Sequence, residues 1–130
     1  MTKPPQVYGL ILCEKVRIET KPPGYCLDGL FLGREFEAFP TPWLSFDVYA
    51  VLFDGRGEGE MKLTCTQLET EQDIYYYGRW YAFSRKVQTV VYAQSVKKLR
   101  FENPGRYAFT LSFDKVPISV RYLDVREAHP

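Results

Sequence analysis

Histidine is almost missing from this sequence: the single copy, His129, stands next to the C-terminus. A Ser–His–Asp or Cys–His mechanism needs an imidazole held rigidly against its nucleophile, and a penultimate residue is badly placed for that. Cysteine is sparse too. Cys13, Cys26 and Cys65 are an odd set without a CxxC pair, so no zinc constellation or disulfide framework suggests itself. Free, buried thiols in a reducing cytoplasm are the expectation. No apolar run approaches the roughly 20 residues a membrane helix needs. The opening Met1-Thr2-Lys3-Pro4-Pro5 has no apolar region or cleavage site behind it, so a signal peptide is not expected and a cytoplasmic location is. Charge excess is also lacking. With 17 basic and 16 acidic residues the net charge is +1, which withholds the basic surface that nucleic-acid phosphates require. The one basic run, Lys97-Lys98-Leu99-Arg100, reads as a solvated strand end.

Aromatic residues are plentiful. They make up 16% of the chain, with ten Tyr and nine Phe, and they fit the pleated, half-buried surface of a sheet. At 130 residues the chain is expected to be one domain, 1–130, with an ordered core over about 7–125 and frayed ends at 1–5 and 126–130. Period two dominates and period 3.6 is nearly absent. An apolar run from Val7 alternates to Ile18 and stops at Pro22-Pro23-Gly24. Tyr25–Gly33 follows, its Asp28-Gly29 pair a hairpin turn or, better, a bulge inside one strand, because the flanks are short. Residues 34–42 suggest an irregular crossing.

From Trp43 to Phe53, Leu44, Phe46, Val48, Ala50 and Leu52 share a face. Glu60–Leu68 places Met61, Leu63 and Cys65 together, and the two segments read as a hairpin across a glycine-rich loop. Ile74–Phe83 suggests an irregular strand broken near Gly78. Val87–Phe101 leans to strand through Thr89-Val90-Val91-Tyr92, although Val96–Leu99 would also suit a helix. The chain closes with Gly105–Phe113, a two-residue turn at Asp114-Lys115, and Ile118–Val125. Seven to eight strands and no crossover helix imply an all-β, antiparallel two-sheet sandwich, an Ig-like or C2-like Greek key.

Asn103-Pro104-Gly105-Arg106-Tyr107 puts a Pro-Gly turn two residues before a tyrosine that opens an alternating strand. That is the pattern of a tyrosine corner, whose hydroxyl bonds upstream backbone. These residues, with Leu10-Ile11-Leu12-Cys13, Leu27-Asp28-Gly29-Leu30-Phe31, Phe39-Pro40, Phe101-Glu102 and the closing hairpin, resemble a family of small uncharacterised bacterial proteins, a domain of unknown function. The resemblance spans roughly 7–125 and implies a bacterial β-sandwich. It carries no activity and no functional residues, and the aromatic block 75–83 lies outside it.

No catalytic set can be named, and a non-enzyme without cofactor or metal is expected. Gly55-Arg56-Gly57-Glu58-Gly59 lacks a P-loop lysine and a following helix, and Asp54, Glu58 and Glu60 around it suit a solvated turn. Asp28, Asp47, Asp54, Asp73 and Asp114 sit at scattered turns rather than in one calcium site. Tyr75, Tyr76, Tyr77, Arg79, Trp80, Tyr81 and Phe83 are different. Successive strand side chains point to opposite faces, so these rings cannot all enter one core. Either they pack on one another and on the stems of Arg85 and Lys86, or the outward set is a binding surface, and Tyr, Trp and Arg are the types enriched at binding hot spots. The expectation is a non-catalytic module that binds a protein partner or a second copy through Tyr75, Tyr76, Tyr77, Arg79, Trp80 and Tyr81. A flat strip would suit a protein, whereas a concave trough would suit the alternative, a small ligand or carbohydrate.

Overall fold

The structure, a computed structural model, describes residues 2–83 and 89–128; the expectations for His129, Arg85, Lys86 and the start of the 87–101 segment fall outside them. The described residues contain nine strands: β1 (Gln6–Thr20), β2 (Pro23–Leu30), β3 (Gly33–Phe36), β4 (Leu44–Phe53), β5 (Gly57–Gln67), β6 (Gln72–Phe83), β7 (Thr89–Leu99), β8 (Gly105–Phe113) and β9 (Val116–Glu127). They pair as β2-β1-β4-β7 in one sheet and β3-β9-β8-β5-β6 in the other. The two sheets face each other across one core, and the chain is a β-sandwich. The order β1-β4-β7 against β9-β8-β5, with a tyrosine corner in the penultimate strand, is that of the immunoglobulin-like Greek key.

Alternation builds the core from both sides. Phe46, Val48, Ala50 and Leu52 of β4 are buried, as are Met61, Leu63 and Cys65 of β5 and Tyr107, Phe109, Leu111 and Phe113 of β8. The Tyr107 hydroxyl donates to the Asn103 carbonyl at 2.6 Å and its ring lies 4.6 Å from that of Phe101, so the corner is formed. Asp114 and Lys115 both have positive φ, 50° and 72°, as a two-residue type I′ turn requires. Residues 96–99 are strand, and Lys98 (φ 59°) is the extra residue where the β4–β7 register shifts. Lys97 and Lys98 are solvated as expected, but Leu99 is buried and the Arg100 guanidinium rests 4.3 Å over the Trp43 ring.

Four expectations need correction. β4 and β5 are not a hairpin: β4 pairs with β1 and β7, β5 with β6 and β8, and the loop between them crosses from sheet to sheet. Alternation marks which face of each strand is buried, and it is blind to which sheet holds the partner. The crossing at 34–42 contains β3, which pairs in parallel with β9 and brings the strands to nine. Lys3 and Ala128, inside the stretches expected to fray, are tied in. Lys3 exchanges backbone bonds with Arg56 at 2.9 and 3.0 Å, and the Ala128 amide reaches Phe36. Finally, Cys26 is half-exposed beside Arg17 and Asp28, while Cys13 and Cys65 are buried.

The turn between β1 and β2 lies at Lys21-Pro22, and Asp28-Gly29 stays inside β2 with Gly29 at φ 65°. Beyond Cys13, β1 leaves β4 and keeps only β2 as partner. This arm folds back over the outer side of its own sheet, because the Tyr25 ring lies 5.7 Å from Tyr49 of β4 and the Val16 amide donates to Asp47.

Candidate binding surface

β6 is the outermost strand of the five-stranded sheet. Its register with β5 runs unbroken from Tyr75↔Cys65 to Phe83↔Gly57, with Gly78 directly opposite Lys62. The expected break near Gly78 is therefore absent. The irregularity sits at Ile74, the extra residue between the pairs Cys65↔Tyr75 and Thr66↔Asp73. A glycine does not by itself create a bulge, because the backbone there is held by the neighbouring strand.

Continuity sets the phase of the aromatic block. Tyr75, Tyr77, Arg79, Tyr81 and Phe83 lie opposite Cys65, Leu63, Met61, Gly59 and Gly57 and share their inward face; Tyr76, Gly78, Trp80 and Ala82 point outward. Tyr81 and Phe83 enter the core, where Tyr81 meets Tyr92 of β7 at 6.0 Å and Phe83 meets Phe113 at 5.5 Å. Tyr75 is partly buried against the same core. Tyr77 and Arg79 also face inward yet stay exposed, between partly buried Tyr75 and buried Tyr81. Arg79 donates to the Tyr81 hydroxyl at 2.6 Å and lies 4.9 Å over its ring.

Burial pushes the Tyr81 phenol up against the opposing pull of Arg79. Burial acts more strongly on Tyr92, whose hydroxyl is enclosed with no hydrogen-bond partner among the described residues.

The six expected site residues thus divide. Tyr76 and Trp80 are 68% and 62% exposed on the outer face, Tyr77 and Arg79 line the open margin, and Tyr75 and Tyr81 belong chiefly to the packing. The outer rings stand four residues apart on one strand, about 13 Å. Between them Gly78 leaves a gap that the Glu60 carboxylate occupies: a Cβ on Gly78 would come within 2.5 Å of Glu60 Oε2. The Lys62 ammonium sits 4.9 Å over the Tyr76 ring. The same outer face carries exposed Val120 and Tyr122 on β9, with Thr64, Thr110 and Ser112 between. Sequence reasoning had not joined β9 to the block. The exposed positions of β9 alternate with buried Leu123 and Val125, and that alternation was the available signal.

Other concavities offer less. A cleft of about 200 Å³ between the folded-back arm and β4–β7 is lined by Glu14, Lys15, Ser45, Asp47, Ser95 and Lys97. Asp47 there already accepts from Val16 and from the Ser95 hydroxyl, both at 2.8 Å. A more open cleft beside the corner contains Arg106 and Asp124, which pair with each other at 3.0 Å. Among the described residues no group of three or more His, Cys, Asp or Glu is placed to hold a metal ion, and no helix is long and apolar enough to cross a membrane.

No protein-family model and no curated protein matches this chain. Among solved structures, the β-glucosidase from Listeria innocua in complex with isofagomine aligns over 94% of this chain and 16% of its own, with 7% identity and a TM-score of 0.48. The chain therefore spans a small part of that protein's length.

Proposed function

We propose that this chain is a non-catalytic β-sandwich that makes protein–protein contacts, self-association included, through the β6 margin of its larger sheet. The observation that carries this reading is the exposure of Tyr76 and Trp80 on one side of an edge strand, with Tyr77 and Arg79 open on the other. Large rings have few rotatable bonds and bury much area, and a sheet edge adds unpaired backbone groups to the contact. In the double variant Tyr76→Ser with Trp80→Ser, the urea midpoint is expected to stay close to wild type, because neither ring is in the core. Assembly measured by light scattering, and retention of any partner in pull-down from the native host, are expected to fall. The companion variant Tyr75→Ser with Tyr77→Ser should lower the midpoint, since Tyr75 packs on the core. Unchanged assembly in the first variant would remove the basis for this reading.

A second reading has one specific support. Tyr76 and Trp80 flank a gap that holds Glu60 and Lys62, and rings beside charged hydrogen-bonding groups suit a stacked sugar. Quenching of Trp80 fluorescence by an oligosaccharide, lost in Trp80→Ser, would favour it over a protein partner.

A further inference from the structure

We infer that the occupant of the β6 margin is a second copy of this chain, with the two β6 strands paired antiparallel about a two-fold axis at Gly78. This rests on the reading above and names its partner and register.

A sheet edge is normally blunted by shortness, proline, lysine or a local distortion. All four edges carry such a device, but on β6 the distortion, the bulge at Ile74, is confined to one end of the strand. β3 is four residues long, and β2 begins at Pro23 and holds Gly29 at φ 65°. β7 carries Lys97 and Lys98 near its end, the latter with positive φ at a register shift. From Tyr75 to Phe83, β6 has neither proline nor lysine, Arg79 is its one charged residue, its register with β5 is unbroken, and no described strand pairs with its outer side.

The order of residues along β6 then selects a register. A two-fold axis normal to the sheet keeps outward residues outward, so Tyr76 of one copy faces an outward residue of the other. With the axis at Gly78, Tyr76 lies opposite the other copy's Trp80, Tyr77 opposite Arg79, Tyr75 opposite Tyr81 and Ile74 opposite Ala82. Each contact occurs twice. Two ring pairs form on the outer face and two cation–π pairs on the inner one, the kinds of cross-strand pair that stabilise antiparallel ladders. Moving the axis to Tyr77 would set Tyr76 against Gly78 and Trp80 against Ile74, leaving both outer rings without a ring partner. Moving it to Arg79 would set two guanidinium groups face to face. Of these three axes, Gly78 is the one that pairs both outer rings with each other.

The register also carries a built-in opposition. Each Glu60 carboxylate lies over its own Gly78, so pairing brings two carboxylates together at the axis. Neutralising them should tighten the dimer, an outcome a merely sticky surface would not give.

The test uses the full chain in sedimentation velocity over the micromolar range, together with a cysteine placed at the axis. The expected results are a monomer–dimer equilibrium, a dissociation constant lowered several-fold by Glu60→Gln, and one raised at least tenfold by Tyr76→Ser with Trp80→Ser. In a Cys26→Ser background, which removes the half-exposed thiol, Gly78→Cys should be joined into dimers by a short bis-maleimide. Lys115→Cys, on the distant β8–β9 turn, should not be. Glu60 is a flexible side chain and can swing away from the new Cβ; a circular-dichroism spectrum matching wild type confirms that the variant folds. A dimer that is lost with the two serines but does not cross-link at position 78 overturns this register and leaves the β6 margin as the binding surface. A chain that stays monomeric, with Glu60→Gln monomeric as well, overturns self-pairing altogether. In that case Tyr76→Ser with Trp80→Ser in the pull-down decides the proposed function independently.

Discussion

Tyr107 shows how much one side chain contributes when its backbone partner is close in sequence. Its hydroxyl reaches Asn103, four residues upstream, at 2.6 Å, and Pro104-Gly105 form the bend that makes the reach possible. Gly105 adopts φ 151°, and the space where a Cβ would stand is taken by the Glu69 carboxylate. Tyr107→Phe keeps the ring against Phe101 and deletes only the hydroxyl. It should lower stability by about 0.5–1.5 kcal/mol in urea melts. No change in midpoint would mean that the bond holds the turn without stabilising the fold. This residue was legible beforehand because turn, spacing and ring all lie within a few residues. Lys98 was not: its positive φ arises where β7 inserts a residue against β4, and that depends on a partner about fifty positions away.

At the scale of elements, β8 is the strand whose faces are best defined. Phe109 and Leu111 are fully buried on either side of Thr110, which points to the outer face opposite Thr64 and Val120. Phe109→Ala is expected to cost about 3–5 kcal/mol through lost burial and the cavity left behind, while Thr110→Ala should cost well under half of that. Similar losses from the two would contradict the register. Period two exposed this face directly in the sequence. For β6 the same rule left the answer open, because both alternate sets contain large rings. Its phase comes from pairing with β5, which sets Tyr77 beside Leu63 and Trp80 beside Glu60.

For the molecule as a whole, the core is rich in groups that titrate only at high pH. Burial pushes the Cys65 thiol and the Tyr92 phenol far above their ordinary values of 9.0 and 10.0, and raises Tyr107 as well. The folded state therefore keeps these groups protonated where the unfolded chain would release the protons. Their contribution to stability is complete below the unfolded values and is lost as pH rises above them. The urea midpoint should be flat from neutrality to about pH 9 and fall steeply above about pH 10. Phenolate absorbance from the buried tyrosines should appear only together with the loss of the fold. Full ionisation of all ten tyrosines in a chain that remains folded would show that these rings are accessible after all.

The sequence by itself determined the class of this protein: an all-β sandwich, its buried faces, its tyrosine corner and the turn at Asp114-Lys115. These are local features, written in alternation and in turn chemistry within a dozen residues. Sheet membership was decided only in three dimensions. The loop after β4 could have closed a hairpin, and it crosses between sheets because both β4 and β5 find two partners elsewhere. The division of the aromatic block was likewise a tertiary matter. Tyr81 packs on Tyr92 of β7 and Phe83 on Phe113, Tyr76 and Trp80 face outward, and Tyr77 and Arg79 stay exposed on the inward side. A ring is buried or exposed according to what stands across from it, and that neighbour is brought there by the fold rather than by the sequence alongside.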